Sequence, residues 1–189
     1  MTATPKETSE VSNVDYFGKP IYTYSLKNGI ADGFLAPYKV VRVNYDKDLY
    51  GVDLSNKHFD DKGNVLEKTF FESKDIDRTL ILEKRTNAVA TKIIHELKNI
   101  GIQSKTIVFC QDQDHALRLR GALVNELSKL GIKDPYYCMR ITSDDVEGKG
   151  MLEDFINPDK KLPVIATTSK LLSTGVDTKL VKLIVIEQN

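Results

Sequence analysis

Tryptophan is absent from these 189 residues, and cysteine occurs only twice, at Cys110 and Cys138. Neither cysteine lies in a CxxC, so a disulfide framework and a cysteine-based zinc site both fail on spacing. There is no Asn-x-Ser/Thr sequon. Long hydrophobic runs are missing too. Stretches such as Leu183 to Ile186 are far too short to cross a bilayer, and the N-terminus has no charged-then-apolar signal pattern. The chain is expected to be cytoplasmic, with no membrane partner. An excess of charge of either sign is also lacking: 27 Lys and Arg balance 27 Asp and Glu. That excludes a protein that holds nucleic acid by bulk charge and leaves a local basic groove open. Hydrophobic residues make up 41%, enough for a packed core of one domain, or one domain plus an appendage.

The patterning divides near Arg85. Before it, Ile21 to Ser25 and Tyr38 to Tyr45 read as strands, separated by a short helix over Leu26 to Asp32 that ends at Gly33. Residues 46–72 form a charged excursion, with a turn at Asp61 to Asn64 and a hairpin arm over Val65 to Phe71. After Arg85, Val89, Ile93, Leu97 and Ile100 recur at helical spacing before Gly101. Lys105 to Cys110 is a nearly continuous apolar run, the mark of a strand buried on both faces. Asp112 or Asp114 caps a helix carrying Ala116, Leu119, Leu123, Leu127 and Leu130. Then come a strand (Tyr136 to Thr142), a helix (Gly150 to Asn157), a strand (Pro163 to Thr168), a helical turn (Lys170 to Ser173) and a strand (Val181 to Glu187). Strands alternating with helices predict an α/β fold: a parallel sheet with helices on both faces, plus a small β-hairpin excursion.

Several chemistries fail at once. No GxxxxGK[ST] is present, nor an adjacent Asp-Glu pair after a buried strand. His95-Glu96 begins like a zincin, but Asn99 stands where the second histidine belongs; His58, His95 and His115 read as surface or boundary residues. Gly148-Lys149-Gly150 lacks the third glycine of a dinucleotide fingerprint and reads as a glycine-rich loop. Arg118 and Arg120 read as covering the outer face of their helix with aliphatic stems. Residues 164–177 stand out. Thr167 and Thr168 end a buried strand, where hydroxyls and backbone amides at the sheet's binding edge suit phosphate oxygens, and Lys170 follows. Gly175 then permits close backbone approach, and Asp177 offers a carboxylate to a ribose hydroxyl or an arginine. The same residues equally describe an ordinary strand–helix–strand turn.

Ala166-Thr167 followed by Thr174-Gly175-Val176-Asp177 resembles motif V of superfamily 2 helicases. Thr2-Ala3-Thr4 resembles their motif III, and Thr106 to Gln111 their motif IV, in the family's order. Tyr24 to Tyr38, Asp75 to Leu80 and Ile141 to Asp145 are similar to the restriction (R, endonuclease) subunit of type I restriction–modification enzymes. The resemblance covers essentially the whole chain. It implies a RecA-like, P-loop NTPase-like fold, the helicase C-terminal domain of a motor that moves double-stranded DNA with ATP and Mg. Residues 1–20 would be the end of the first motor domain and a linker. Residues 21–189 would be the second RecA-like domain, truncated before motif VI and carrying an insertion at about 46–72.

By that resemblance, Gly175 and Asp177 face the ATP cleft. Thr167, Thr168, Lys170, Cys110 and Gln111 line the DNA track, and Thr2 and Thr4 couple nucleotide state to DNA grip. The methyltransferase and specificity subunits of a restriction complex are the implied partners. The Walker lysine and acid, the nuclease carboxylates and the arginine of motif VI are not in this sequence, so the chain alone is expected neither to hydrolyse ATP nor to cut DNA. Two other readings remain at this point: another superfamily 2 DNA helicase or translocase domain, or a non-catalytic α/β binding module.

Overall fold

The computed structural model describes residues 18, 21–45, 52–53, 70–71, 83–169 and 179–187. The chain divides into two compact units, 1–43 and 44–189. In the first, helix α1 (Leu26–Ala31) is started by Ser25, whose side chain accepts from the Asn28 amide while the Asn28 side chain returns to the Ser25 amide. This reciprocal capping box satisfies two donors that a helix start leaves orphaned. The Phe34 and Leu35 amides fold back onto the Gly29 carbonyl, and Gly33 takes a positive φ of 78° that suits glycine. A side chain at Gly29 would meet Leu35. The short helix and its glycine stop are as the sequence implied. The flanking strands are not: Ile21 to Ser25 and Tyr38 to Tyr45 have no strand assignment. Their β-branched and aromatic residues have strand propensity, but a strand also needs a ladder partner.

In the second unit, β1 (Val52–Asp53) pairs antiparallel with β2 (Phe70–Phe71), inside the expected excursion. The turn expected at Asp61 to Asn64 lies outside the described residues. Helix α2 (Glu83–Ile100) buries Val89, Ile93 and Leu97 as the spacing predicted, while Ile100 is exposed. Gly101, at φ 113°, follows its end. Strand β3 (Lys105–Cys110) leads to α3 (Gln113–Lys129), which buries Leu119, Leu123 and Leu127. Strand β4 (Cys138–Arg140) precedes α4 (Val146–Ile156), and β5 (Ile165–Thr168) and β6 (Val181–Glu187) follow. Helix α4 begins four residues before the expected Gly150. Gly148, Lys149 and Gly150 are therefore helical and form no loop.

The four long-range strands form one parallel sheet in the order β4-β5-β3-β6. The register places Ile107 beside Ala166 and Ile184, and Val108 beside Thr167 and Val185. Side chains alternate between faces along a strand, so each strand serves two cores. Val108, Cys110, Cys138 and Ile165 pack with Val89, Ile93 and Leu97 of α2 and Leu119 and Leu123 of α3. Ile107, Met139 and Ala166 pack with Phe155 of α4 on the other face. The expected α/β architecture, a parallel sheet with helices on both faces, is the one observed.

Candidate functional site

The carboxyl ends of the parallel strands carry the loops that precede α3 and α4, the rim where open α/β sheets place ligands. At β3, Asp112 caps α3: its Oδ1 accepts from the His115 amide at 2.7 Å. The Gln111 amide donates to His115 Nδ1 at 3.3 Å. His115 is 2% exposed, so this histidine is buried beneath the β3–α3 turn and is not the surface or boundary residue the sequence suggested. At β4, Arg140 reaches both Asp144 (3.3 Å) and Asp145 (3.1 Å). Buried Thr142 donates to Asp144 at 2.6 Å. The Gln113 amide, with its nitrogen toward Asp144, donates to both carboxylate oxygens at 3.0 and 2.9 Å and accepts from Ser143 Oγ at 3.0 Å. Asp144 thereby latches the β4–α4 loop to the start of α3.

These contacts set the local electrostatics. The Thr142 hydroxyl, followed by backbone and Arg140 contacts, holds the Asp144 carboxyl below the usual range. The Gly148 amide, followed by Arg140, does the same for Asp145, whose Oδ1 accepts from that amide at 2.9 Å and caps α4. A Cβ on Gly148 would lie 1.9 Å from the Arg140 carbonyl oxygen, so glycine is what lets α4 start against β4. Asp112, Asp114, Asp144 and Asp145 outnumber Arg140 in and beside these loops. Sequence reasoning missed this Arg140–aspartate cluster, although Asp145 at the start of a glycine-containing helix is a capping signal.

Thr167 and Thr168 correct the sequence reading. Both are fully buried, so their hydroxyls do not emerge at the rim. Thr167 Oγ1 donates to the Ala116 carbonyl of α3 at 3.0 Å. Thr168 Oγ1, on the opposite face, has no hydrogen-bond partner among the described residues. Burial removes Cys110 from direct contact as well, since its Sγ lies against the Val108 carbonyl at 3.8 Å. The reason is shared: these residues end strands at the centre of a sheet covered on both faces, so alternation sends the side chains into one core or the other. Gln111 remains partly exposed at the rim. Thr2, Thr4, Lys170, Gly175 and Asp177 lie outside the described residues. Arg120 is tied inward, its Nε donating to the Cys138 carbonyl at 2.8 Å, and so does not cover the outer face of its helix as the sequence suggested. Arg118 is half-buried.

Among the described residues, no set of side chains forms an ATP–Mg site by itself. The sequence has no phosphate-cradling GxxxxGK[ST], and the described residues contain no group of three metal-ligating side chains. No helix among the described residues is long and apolar enough to cross a membrane.

No protein-family model matches the chain. It is 54% identical, over all 189 residues, to the endonuclease subunit of the type I restriction enzyme EcoAI of Escherichia coli, and spans 23% of that subunit. With the EcoKI endonuclease subunit of Escherichia coli K12 it shares 30% identity across 94% of this chain and 16% of that one. Among solved structures it is similar to a fragment described as an HsdR subunit of a type I restriction enzyme from Vibrio vulnificus YJ016. The TM-score is 0.69 at 35% identity, covering 99% of this chain and 38% of that one. The chain thus spans less than a quarter of the curated relatives' length. Matched along its own length, the chain is homologous to one segment of the endonuclease (HsdR) subunits of type I restriction enzymes.

Proposed function

We propose that the chain is the second RecA-like motor domain of an ATP-dependent, DNA-translocating restriction subunit. It supplies one half of an ATP cleft and part of a double-stranded DNA track. The observation that carries this reading is the 54% identity running through all 189 residues of the EcoAI match. The parallel sheet, with its loops gathered at one rim, supports it. In this proposal Gly175 and Asp177 face the nucleotide, Thr2 and Thr4 couple the two motor domains, and Lys170 and Gln111 touch the DNA backbone. Thr167, Thr168 and Cys110 act from below the rim by setting where its loops leave the sheet. ATP and Mg are held in the complete subunit, whose partners are methyltransferase and specificity subunits and duplex DNA. Alternating separation of the two motor domains between nucleotide states converts hydrolysis into movement.

The test is a chimera: the EcoAI endonuclease subunit with its matching segment replaced by this chain. It is expected to show DNA-stimulated ATPase and to restrict unmodified DNA with its partner subunits. Asp177→Asn should abolish the ATPase. Lys170→Ala should lower the salt slope of DNA binding by about one unit, since one phosphate contact releases about one counterion. A folded chimera with no DNA-stimulated ATPase would refute the motor reading.

A further inference from the structure

Beyond Val181, strand β6 is covered on one side only. Leu183 and Val185 point into the core beneath α2 and α3. On the opposite face, Ile184 is 61% and Ile186 72% exposed, beside the partly buried Phe109 of β3. Helix α4 covers that face over Ile107, Met139 and Ala166, with Val181 at the start of β6 packed against the same cluster, and leaves Ile184 and Ile186 uncovered. Among the described residues β6 pairs with β3 alone, and none of them pairs with its outer edge. Strands of parallel sheets are ordinarily covered on both faces, and a long apolar edge strand left open invites pairing.

We propose that the Ile184–Ile186 face and outer edge of β6 form an internal contact surface, which receives an apolar element from the remainder of the same endonuclease subunit. This rests on the reading of the chain as one segment of such a subunit. The matched segment is 23% of the EcoAI subunit and 16% of the EcoKI subunit, so most of each relative's polypeptide lies outside it. Tethered polypeptide meets the face at high effective concentration. The stripe's chemistry fits that occupant better than the others. Nucleic acid would find one cation, Lys182, beside two isoleucines. A second copy paired antiparallel about Ile184 would set Lys182 against an isoleucine, with no carboxylate opposite.

Hydrogen exchange of residues 182–187 is compared in the isolated chain and in the EcoAI chimera. Exchange is expected to slow by about tenfold or more in the chimera, as edge amides become part of a protected unit. Ile184→Glu should leave the melting temperature of the isolated chain nearly unchanged and should lower that of the chimera. Equal exchange in both contexts, or a chimera that tolerates Ile184→Glu, overturns the proposal. So does a dimer of the isolated chain that Ile184→Glu disperses, which assigns the face to a second copy, and so does protection that arises only on adding duplex DNA. A chimera that shows slowed exchange but does not restrict DNA keeps the contact and counts against the functional reading instead.

Discussion

Gly148 shows how one residue decides where an element begins. Alanine in a helix interior is favoured over glycine by about 1 kcal/mol. Here the added methyl would stand 1.9 Å from the Arg140 carbonyl, a backbone atom that cannot swing aside. Overpacking of this kind costs about 1–3 kcal/mol, so the clash wins. Gly148→Ala is expected to lower stability by about 1–2 kcal/mol in urea unfolding, and an unchanged midpoint would count against the close approach. Tyr137 is a second case. Its hydroxyl donates to the Ile102 carbonyl, and burial, followed by the neighbouring Cys138, pushes its pKa up to about 12. The raised pKa means the fold keeps the proton that the unfolded chain releases near 10. The associated stability is present below pH 10 and lost as pH rises toward 12. Burial pushes the Cys138 thiol up to about 12 as well, with the same sign. Lys105, whose Nζ donates to the Pro163 carbonyl at 2.7 Å, is held below its usual value by burial and acts in the opposite sense. Tyr137→Phe should therefore shallow the alkaline limb of the stability profile without removing it. At neutral pH it should cost about 1 kcal/mol for the lost hydrogen bond.

At the scale of elements, α2, α3 and the strands β3 and β6 were legible in the sequence, whereas α4 begins four residues earlier than expected and two expected strands of the first unit do not form. Helix α2 announces itself by Val89, Ile93 and Leu97 and by Gly101, and α3 by Asp112 and its leucine spacing. Both signals are local, because a helix bonds within itself and a cap is one side chain. Asp112→Ala should cost about 1 kcal/mol, read as a shift in urea midpoint, by orphaning the His115 amide. The α4 cap adds an acid limb. Hydrogen bonding from Gly148 holds the Asp145 pKa below 3.8, so its stabilisation is present above that pH and is lost as pH falls through the lowered value. Asp145→Asn, which keeps a capping oxygen, should flatten that limb in an acid titration followed by circular dichroism. The strands expected over Ile21 to Ser25 and Tyr38 to Tyr45 failed because a ladder is a pairwise property. Strand β4 shows the same dependence from the other side: its Cys138 carbonyl is bonded by Arg120, 18 positions away in sequence, whose role no local pattern could reveal.

For the molecule as a whole, the isolated chain is expected to hydrolyse no ATP, with or without duplex DNA. Measurable turnover by the purified polypeptide would contradict the split-cleft reading. Its own sequence determined the fold class: buried apolar runs alternating with amphipathic segments leave few ways to cover both faces of a parallel sheet. It carried the resemblance to the endonuclease subunits too, because the 24–38 and 141–145 stretches are linear properties. Only tertiary structure decided which rim residues are reachable. Thr167, Thr168 and Cys110 have the right chemistry for a binding edge, yet pleat alternation and helical cover turn their side chains into the two cores. Arg140, Asp144 and Gln113 meet only because β3 and β4 are brought into one sheet, with β5 between them. Side-chain chemistry is written residue by residue, whereas exposure depends on what packs against each residue, and that is fixed by contacts between segments far apart in the chain.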